Sequence, residues 1–265
     1  MRPRHIHTVC RTAVNPPALA RLLFVHGGCT TSGCWQPYFF PWFSNRGYDC
    51  HALDLSGHGH SAGRERLHAF GIDDYVQDLA QVANDLDGPA VIIGHSMGSV
   101  VVERYLERHP ACAAVLMSPV PATGILGATL QLAFSDPAFF TKPARATRGE
   151  IGAQTLRTIR DVYYSAETSD EDLQRFAPLF QEESRRALLD LTLLGLRIGG
   201  RRPRLPVLVV GGESDAVFPP DLLDFSAARW QGEAAIIPRA GHTLMLDAHW
   251  QAAAETIAAW LARQR

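Results

Sequence analysis

Pro89-Ala-Val-Ile-Ile-Gly94 runs directly into His95-Ser96-Met97-Gly98. The first six residues form an almost unbroken apolar run, the pattern of a strand covered on both sheet faces. Residues 99–108 then carry a helical pattern. Gly94-His-Ser-Met-Gly98 between them fits G-x-S-x-G, which requires a strand, a sharp turn and a helix in that order. A serine on such a strained turn needs neighbours without Cβ atoms. The helix that follows points backbone N–H groups and positive potential at the same spot. Ser96 is therefore read as a nucleophile.

Outward from this turn, strand and helix patterns alternate. Strands are expected at 21–26, 48–54 and 113–117, and helices at 34–46 and 73–86. The 73–86 segment starts at an Asp and repeats apolar residues at Val76, Leu79, Ala80 and Ala83. His5-Ile-His7 fits an early strand with exposed histidines. The alternation implies βαβ units and a mostly parallel sheet flanked by helices. It stops near Pro119, and from there to Arg204 the pattern is helical, with apolar faces that include Phe139-Phe140 and Tyr163-Tyr164. Buried-strand character returns at 206–211, and a final short strand at 234–237 and a last helix at 251–262 are expected. The expected organisation is an α/β core of residues 1–119 and 205–265, interrupted late in the sheet by a helical cap, or lid, of residues 120–204.

A serine hydroxyl needs a base. Of eleven histidines, His242 lies between the last strand and the last helix. That is the carboxyl edge of the sheet, where sites in open α/β folds assemble. His95 is assigned to the turn and expected to face away. The base needs a carboxylate after a strand. Gly211-Gly-Glu-Ser-Asp215 offers two, and Asp215, farther into the loop, is preferred over Glu213. Ser118-Pro-Val-Pro, after the strand ending at Met117, supplies none. His26-Gly27-Gly28 is a small-residue loop suited to holding a backbone N–H toward an oxyanion, opposite the N–H of Met97. Gly28 is the first choice for that amide and Cys29 the second.

His26-Gly27-Gly28, Asp54-Leu-Ser-Gly-His-Gly-His-Ser61, Gly94-His-Ser-Met-Gly98, Gly212-Glu-Ser-Asp215 and Gly241-His242 stand in the order of the α/β-hydrolase superfamily. The chain resembles its lysophospholipase-like and carboxylesterase-like members. The resemblance implies the α/β-hydrolase fold, a triad of Ser96, His242 and Asp215, an oxyanion hole from Gly28 and Met97, and acyl transfer without a cofactor or metal. The motifs leave the substrate open. A carboxylic ester of a small or medium apolar acid is the first expectation. C–C bond hydrolysis, perhydrolysis or a slow-turnover ligand receptor of the same fold are the rivals.

The remaining features receive plainer readings. A net charge of −2 gives no reason to expect a nucleic-acid partner. No apolar run approaches the ~18 residues of a membrane span, so no integral membrane contact is expected. The first 15 residues lack the apolar segment of a secretory signal, and the five scattered cysteines read as free thiols of a cytoplasmic protein, with a Cys29–Cys34 bridge as a minor alternative. His58-Gly-His60 looks like half of a metal site, but no Asp-His pair follows, and the resemblance implies that it is the family's structural turn. Asp247 and His249 are read as supports of the last helix, and Glu182-Glu183 as a solvated helix face. Trp35 is left open between core and acyl pocket. The oligomeric state is not legible.

Overall fold

The computed structural model describes residues 4–125, 153–193 and 203–264. Seven strands form one sheet: β1 (Thr8–Arg11), β2 (Ala20–Val25), β3 (Tyr48–Leu53), β4 (Val91–His95), β5 (Ala113–Met117), β6 (Val207–Gly212) and β7 (Glu233–Ile237). Their spatial order is β1-β3-β2-β4-β5-β6-β7. Only β1 runs antiparallel to its neighbour, and the other pairs are parallel. This is the mostly parallel sheet flanked by helices expected from the alternation, and it agrees with the α/β-hydrolase fold that the resemblance implies. The first strand lies at 8–11 rather than 5–7, because the carbonyls of His5 and His7 are taken by the amides of Ala62 and Asp54 in the loop after β3.

Strand periodicity divides the core in two. Leu22 and Phe24 face one side of the sheet, and Leu23 and Val25 the other, all fully buried. Each such side chain contributes roughly 1.5–3 kcal/mol of burial free energy. The first side is filled by α1 (Phe39–Ser44) and the long C-terminal helix. The second is filled by α2 (Ile72–Asn84) and α3 (Met97–Leu106). On α2, Ile72, Tyr75, Val76, Leu79 and Val82 form the buried stripe. Asp74 Oδ2 caps that helix by accepting the Gly71 N–H at 3.0 Å. The helix expected at 34–46 is broken into a 3₁₀ turn (Ser32–Trp35) and α1, with Pro37 in the gap, where a helix interior would need the N–H that proline lacks. Trp35 packs on Phe24 at 4.8 Å between ring centroids and is fully buried, so it belongs to the core.

Between β5 and β6 the described chain is helical: α4 (Ala153–Tyr163), α5 (Asp170–Phe176) and α6 (Arg185–Thr192). Phe139 and Phe140 lie outside the described residues. After β6 come α7 (Leu223–Trp230), for which the sequence pattern gave no signal, and α8 (Trp250–Arg263). Among the described residues no helix is long and apolar enough to cross a membrane. All five cysteines are free.

Candidate active site

Ser96 is the single residue between β4 and α3, with φ 51° and ψ −119°. That conformation is unusual for any residue with a Cβ, and the surroundings enforce it. The Ser96 N–H donates to the Met117 carbonyl at 2.9 Å, tying the turn to β5. A Cβ on Gly98 would stand 2.5 Å from the carbonyl oxygens of Val25 and His26, and one on Gly94 would collide with the Gly98 carbonyl. Both glycines are therefore required by close approach of backbone to backbone.

His242 lies in the loop after β7, buried. Its Nδ1 is 2.8 Å from Asp215 Oδ2. Asp215 Oδ1 is occupied by the N–H groups of Val217 (2.8 Å) and Phe218 (2.9 Å), so the carboxylate can rotate little. A carboxylate only accepts, so Nδ1 carries the proton and Nε2 of the neutral ring is left as an acceptor. Phe218 packs its edge on the ring at 5.3 Å between centroids. The His242 carbonyl accepts from Ser118 Oγ at 2.9 Å and from His95 Nε2 at 3.0 Å. Ser118 thus occupies the position after β5 with a hydroxyl that anchors the His242 backbone. Asp247 is buried and holds the same loop, accepting from the Gly241 N–H at 3.2 Å and the Ser165 N–H.

His95 departs from expectation. It does not face away from the site: its ring stacks beside His242 with centroids 5.0 Å apart and borders the same cavity. It ends a central strand whose carboxyl end is covered, so no solvent direction is open to it. Burial, then the nearby His242, push its pKa down to about 3, and it stays neutral.

Gly28, Ser96, Met97 and His242 line one cavity of about 520 Å³, with Asp215 directly behind His242. The far wall comes from residues 153–193 and includes Tyr163, Phe176, Leu179, Phe180 and Leu191. Most of the lining is apolar. Of the two amides in the glycine loop, that of Cys29 donates to Glu183 Oε2 at 3.1 Å. Cys29 has φ 61°, and its thiol is pushed up to about 12 by burial and by Glu183.

Glu183 is the clearest correction to the sequence reading. It is buried, not solvated, and lies before α6 rather than on it, since Ser184 caps that helix by accepting the Ala187 N–H at 3.3 Å. Ser184 as an N-cap signals that the helix begins after Glu183, but not that Glu183 is buried. Glu182, by contrast, is exposed beside His68. His58 is fully buried and bonds Glu183 at 3.1 Å, while His60 is exposed. Among the described residues no cluster of three or more His, Cys, Asp or Glu side chains could hold a metal ion. His26, at the start of the glycine loop, donates from Nδ1 to the Gly27 carbonyl and accepts the Leu55 N–H at Nε2. Burial, followed by the neighbouring His58, lowers it to about 4.

A family model described as "Alpha/beta hydrolase family" matches residues 22–256. The chain is 27% identical over 135 residues to a pyrethroid hydrolase of Sphingobium wenxiniae, covering 51% of this chain and 45% of that protein. It is 36% identical over 104 residues to a non-heme haloperoxidase of Rhodococcus erythropolis, covering 38% and 37% respectively. The matches therefore span less than half the length of these curated relatives. Among solved structures, a monoacylglycerol lipase of Paleococcus ferrophilus superposes with a TM-score of 0.72 at 20% identity, covering 98% of this chain and 100% of that one. At that identity the likeness concerns the fold.

Proposed function

Because this chain belongs to the alpha/beta hydrolase family, we propose that it is a serine hydrolase that cleaves a carboxylic ester with Ser96 as nucleophile, His242 as base and Asp215 as the group that orients the base. The observation that carries this reading is the 2.8 Å bond from His242 Nδ1 to Asp215 beside a serine held at φ 51°. Ser96 Oγ attacks the ester carbonyl as His242 Nε2 takes its proton. The Asp215 carboxylate stabilises the imidazolium that forms. The N–H groups of Gly28 and Met97 receive the oxyanion, Met97 at the N-terminus of α3 where the helix adds positive potential. The tetrahedral intermediate collapses, the alkoxide leaves with the proton from Nε2, and water repeats the sequence on the acyl-enzyme.

The walls of the cavity support a reading of the substrate class. A cavity of about 520 Å³ with a mostly apolar lining that includes Tyr163, Phe176, Leu179 and Phe180 accepts a small or medium apolar acyl group. Residues 120–204 act as a cap over Ser96, a reading supported by the lining contributed from 153–193. Excluding water there strengthens the hydrogen bonds to the oxyanion. The match to a haloperoxidase favours one second reading, peracid formation, in which hydrogen peroxide replaces water at the acyl-enzyme.

A fluorophosphonate probe and a series of p-nitrophenyl esters of graded chain length test the proposal. The probe is expected on Ser96, and Ser96→Ala is expected to lose both label and turnover. A folded protein labelled on another serine, or on none, rules the assignment out. Turnover of an ester only in the presence of peroxide would favour the second reading.

A further inference from the structure

Glu183 has no part in the chemistry just described, yet it is among the most fully engaged groups near the cavity. Its side chain is 1% exposed. Oε1 accepts from the Tyr75 hydroxyl at 3.0 Å and the Ser184 N–H at 2.7 Å. Oε2 accepts from the Cys29 N–H at 3.1 Å and from His58 Nε2 at 3.1 Å. An ionised carboxylate has about four acceptor directions, so all are in use and none is left to bind a substrate. The carboxylate lies against the oxyanion loop: a Cβ on Gly28 would stand 3.5 Å from Oε2.

His58 supplies the balancing charge. Its Nε2 faces Glu183, and its Nδ1 faces the Ser56 carbonyl at 3.3 Å. Both partners are acceptors, and only an imidazolium donates from both nitrogens. Burial pushes His58 down, but the Glu183 charge and hydrogen bond outweigh it and the imidazole is raised above its ordinary 6.5. Burial likewise pushes Glu183 up, and the His58 charge and hydrogen bonds outweigh that, leaving it below the ordinary carboxylate range. The other groups facing the pair are few. Arg64 opposes protonation of His58, His26 is neutral with its ring centroid 5.2 Å away, Tyr75 keeps its proton, and Glu182 faces His68 at the exposed mouth.

We propose that Glu183 is a positioning residue for the oxyanion hole, capturing the Cys29 N–H so that the adjacent Gly28 N–H is the one presented to the oxyanion, while the His58 imidazolium cancels the carboxylate charge beside that site. The proposal rests on the reading of Ser96 and Gly28 given above. Its consequence is electrostatic. A neutral pair leaves the developing oxyanion undisturbed, whereas a bare carboxylate in contact with Gly28 repels it. Loss of the His58 proton in alkali therefore slows turnover without any change at Ser96.

Steady-state kinetics on a p-nitrophenyl ester from pH 6 to 10, with the full chain, test this. Wild-type kcat is expected to fall on the alkaline side, with KM within about twofold. His58→Gln keeps a donor toward Glu183 but removes the charge, so kcat is expected to drop about tenfold and lose its alkaline fall, roughly the scale of a weakened oxyanion contact. Adding Glu183→Gln to that variant removes the stranded charge and keeps an acceptor for the Cys29 N–H. The double variant is expected to regain at least about threefold in kcat, whereas a purely structural role would make it slower than the single. Wild-type kcat that stays flat to pH 10 overturns the proposal and requires no variant to fold. A double variant no faster than His58→Gln, with Ser96 still labelled by the fluorophosphonate, overturns this inference alone. No label on Ser96 in the wild-type protein overturns it together with the proposed function.

Discussion

His95 Nε2 donates to the carbonyl oxygen of His242 at 3.0 Å, across 147 positions of sequence. The residue preceding the proposed nucleophile thus grips the backbone of the proposed base. His95→Phe keeps an aromatic ring in the space and removes the donor. Ser118 Oγ still holds the same carbonyl, so the loop stays folded but is less closely placed. The expected result is a fall in kcat of about tenfold with little change in KM, since small misplacements of reacting groups cost up to ~100-fold. Unchanged kcat in a folded variant would mean that the Ser118 bond alone suffices.

Asp215→Asn should be far more damaging than its size suggests. The amides of Val217 and Phe218 would keep the Asn carbonyl oxygen on their side. Its NH2 group would then face His242 Nδ1 and select the tautomer protonated on Nε2, which cannot accept the serine proton. A loss of about 10³–10⁴ in kcat is expected, the scale of the same exchange in the serine-protease triad. A variant within tenfold of wild type would remove Asp215 from the proposed mechanism.

Stability should peak near neutral pH. His26 and His95 are lowered to about 4 and about 3, from 6.5 in the unfolded chain. As pH falls from 6.5 toward 4, the unfolded chain binds protons that the folded protein refuses, so stability declines by up to about 1.4 kcal/mol per pH unit for each group. His58 is raised, so its contribution is full below 6.5 and is lost as pH climbs through its folded value. Urea midpoints between pH 4.5 and 9 measure both arms. His95→Phe should make the acid arm shallower, and an unchanged slope would count against a neutral His95.

Gly98→Ala places a methyl group 2.5 Å from two backbone carbonyls that the sheet cannot move. A destabilisation of about 3 kcal/mol is expected, at the upper end for overpacking. Thermal unfolding of the purified variant reads it directly, and a shift of under a degree would mean that the elbow is looser than its geometry.

Phe180 borders the cavity and is half-buried, with Tyr163 at 6.1 Å between centroids. Phe180→Ala lengthens the apolar wall without emptying the main core. The preferred p-nitrophenyl ester should move to a longer chain while Tm changes little. An unchanged preference across substitutions at Phe180, Leu179 and Phe176 would argue that residues 153–193 cover the site without selecting its substrate.

Legibility in the sequence follows the range of the interactions. The strand at β4 and the turn after it are readable because local sterics and a covered sheet leave few choices of residue there. Asp215 and His242 are readable as candidates because chain order places them at strand ends. Glu183 is not, since nothing local distinguishes a carboxylate that will meet Cys29, His58 and Tyr75 from one in water. His95 fails for the same reason, because its partner is the carbonyl of His242, a backbone atom with no sequence signature. The split of the 34–46 helix is legible at Pro37, whose missing N–H cannot serve a helix interior.

The three strands that lead into Ser96, Ser118 and Asp215 are β4, β5 and β6, which lie in the interior of the sheet with neighbours on both sides. Such strands open to solvent only with the whole domain, while helices that border a cavity can detach at far lower free energy. Amide hydrogens of Ile93, Leu116 and Val209 should therefore exchange at the global unfolding rate, and those of Arg185–Thr192 much sooner. If residues 120–204 are the cap proposed above, a substrate enters by a local opening of that cap while the strands carrying Ser96, Ser118 and Asp215 stay in register.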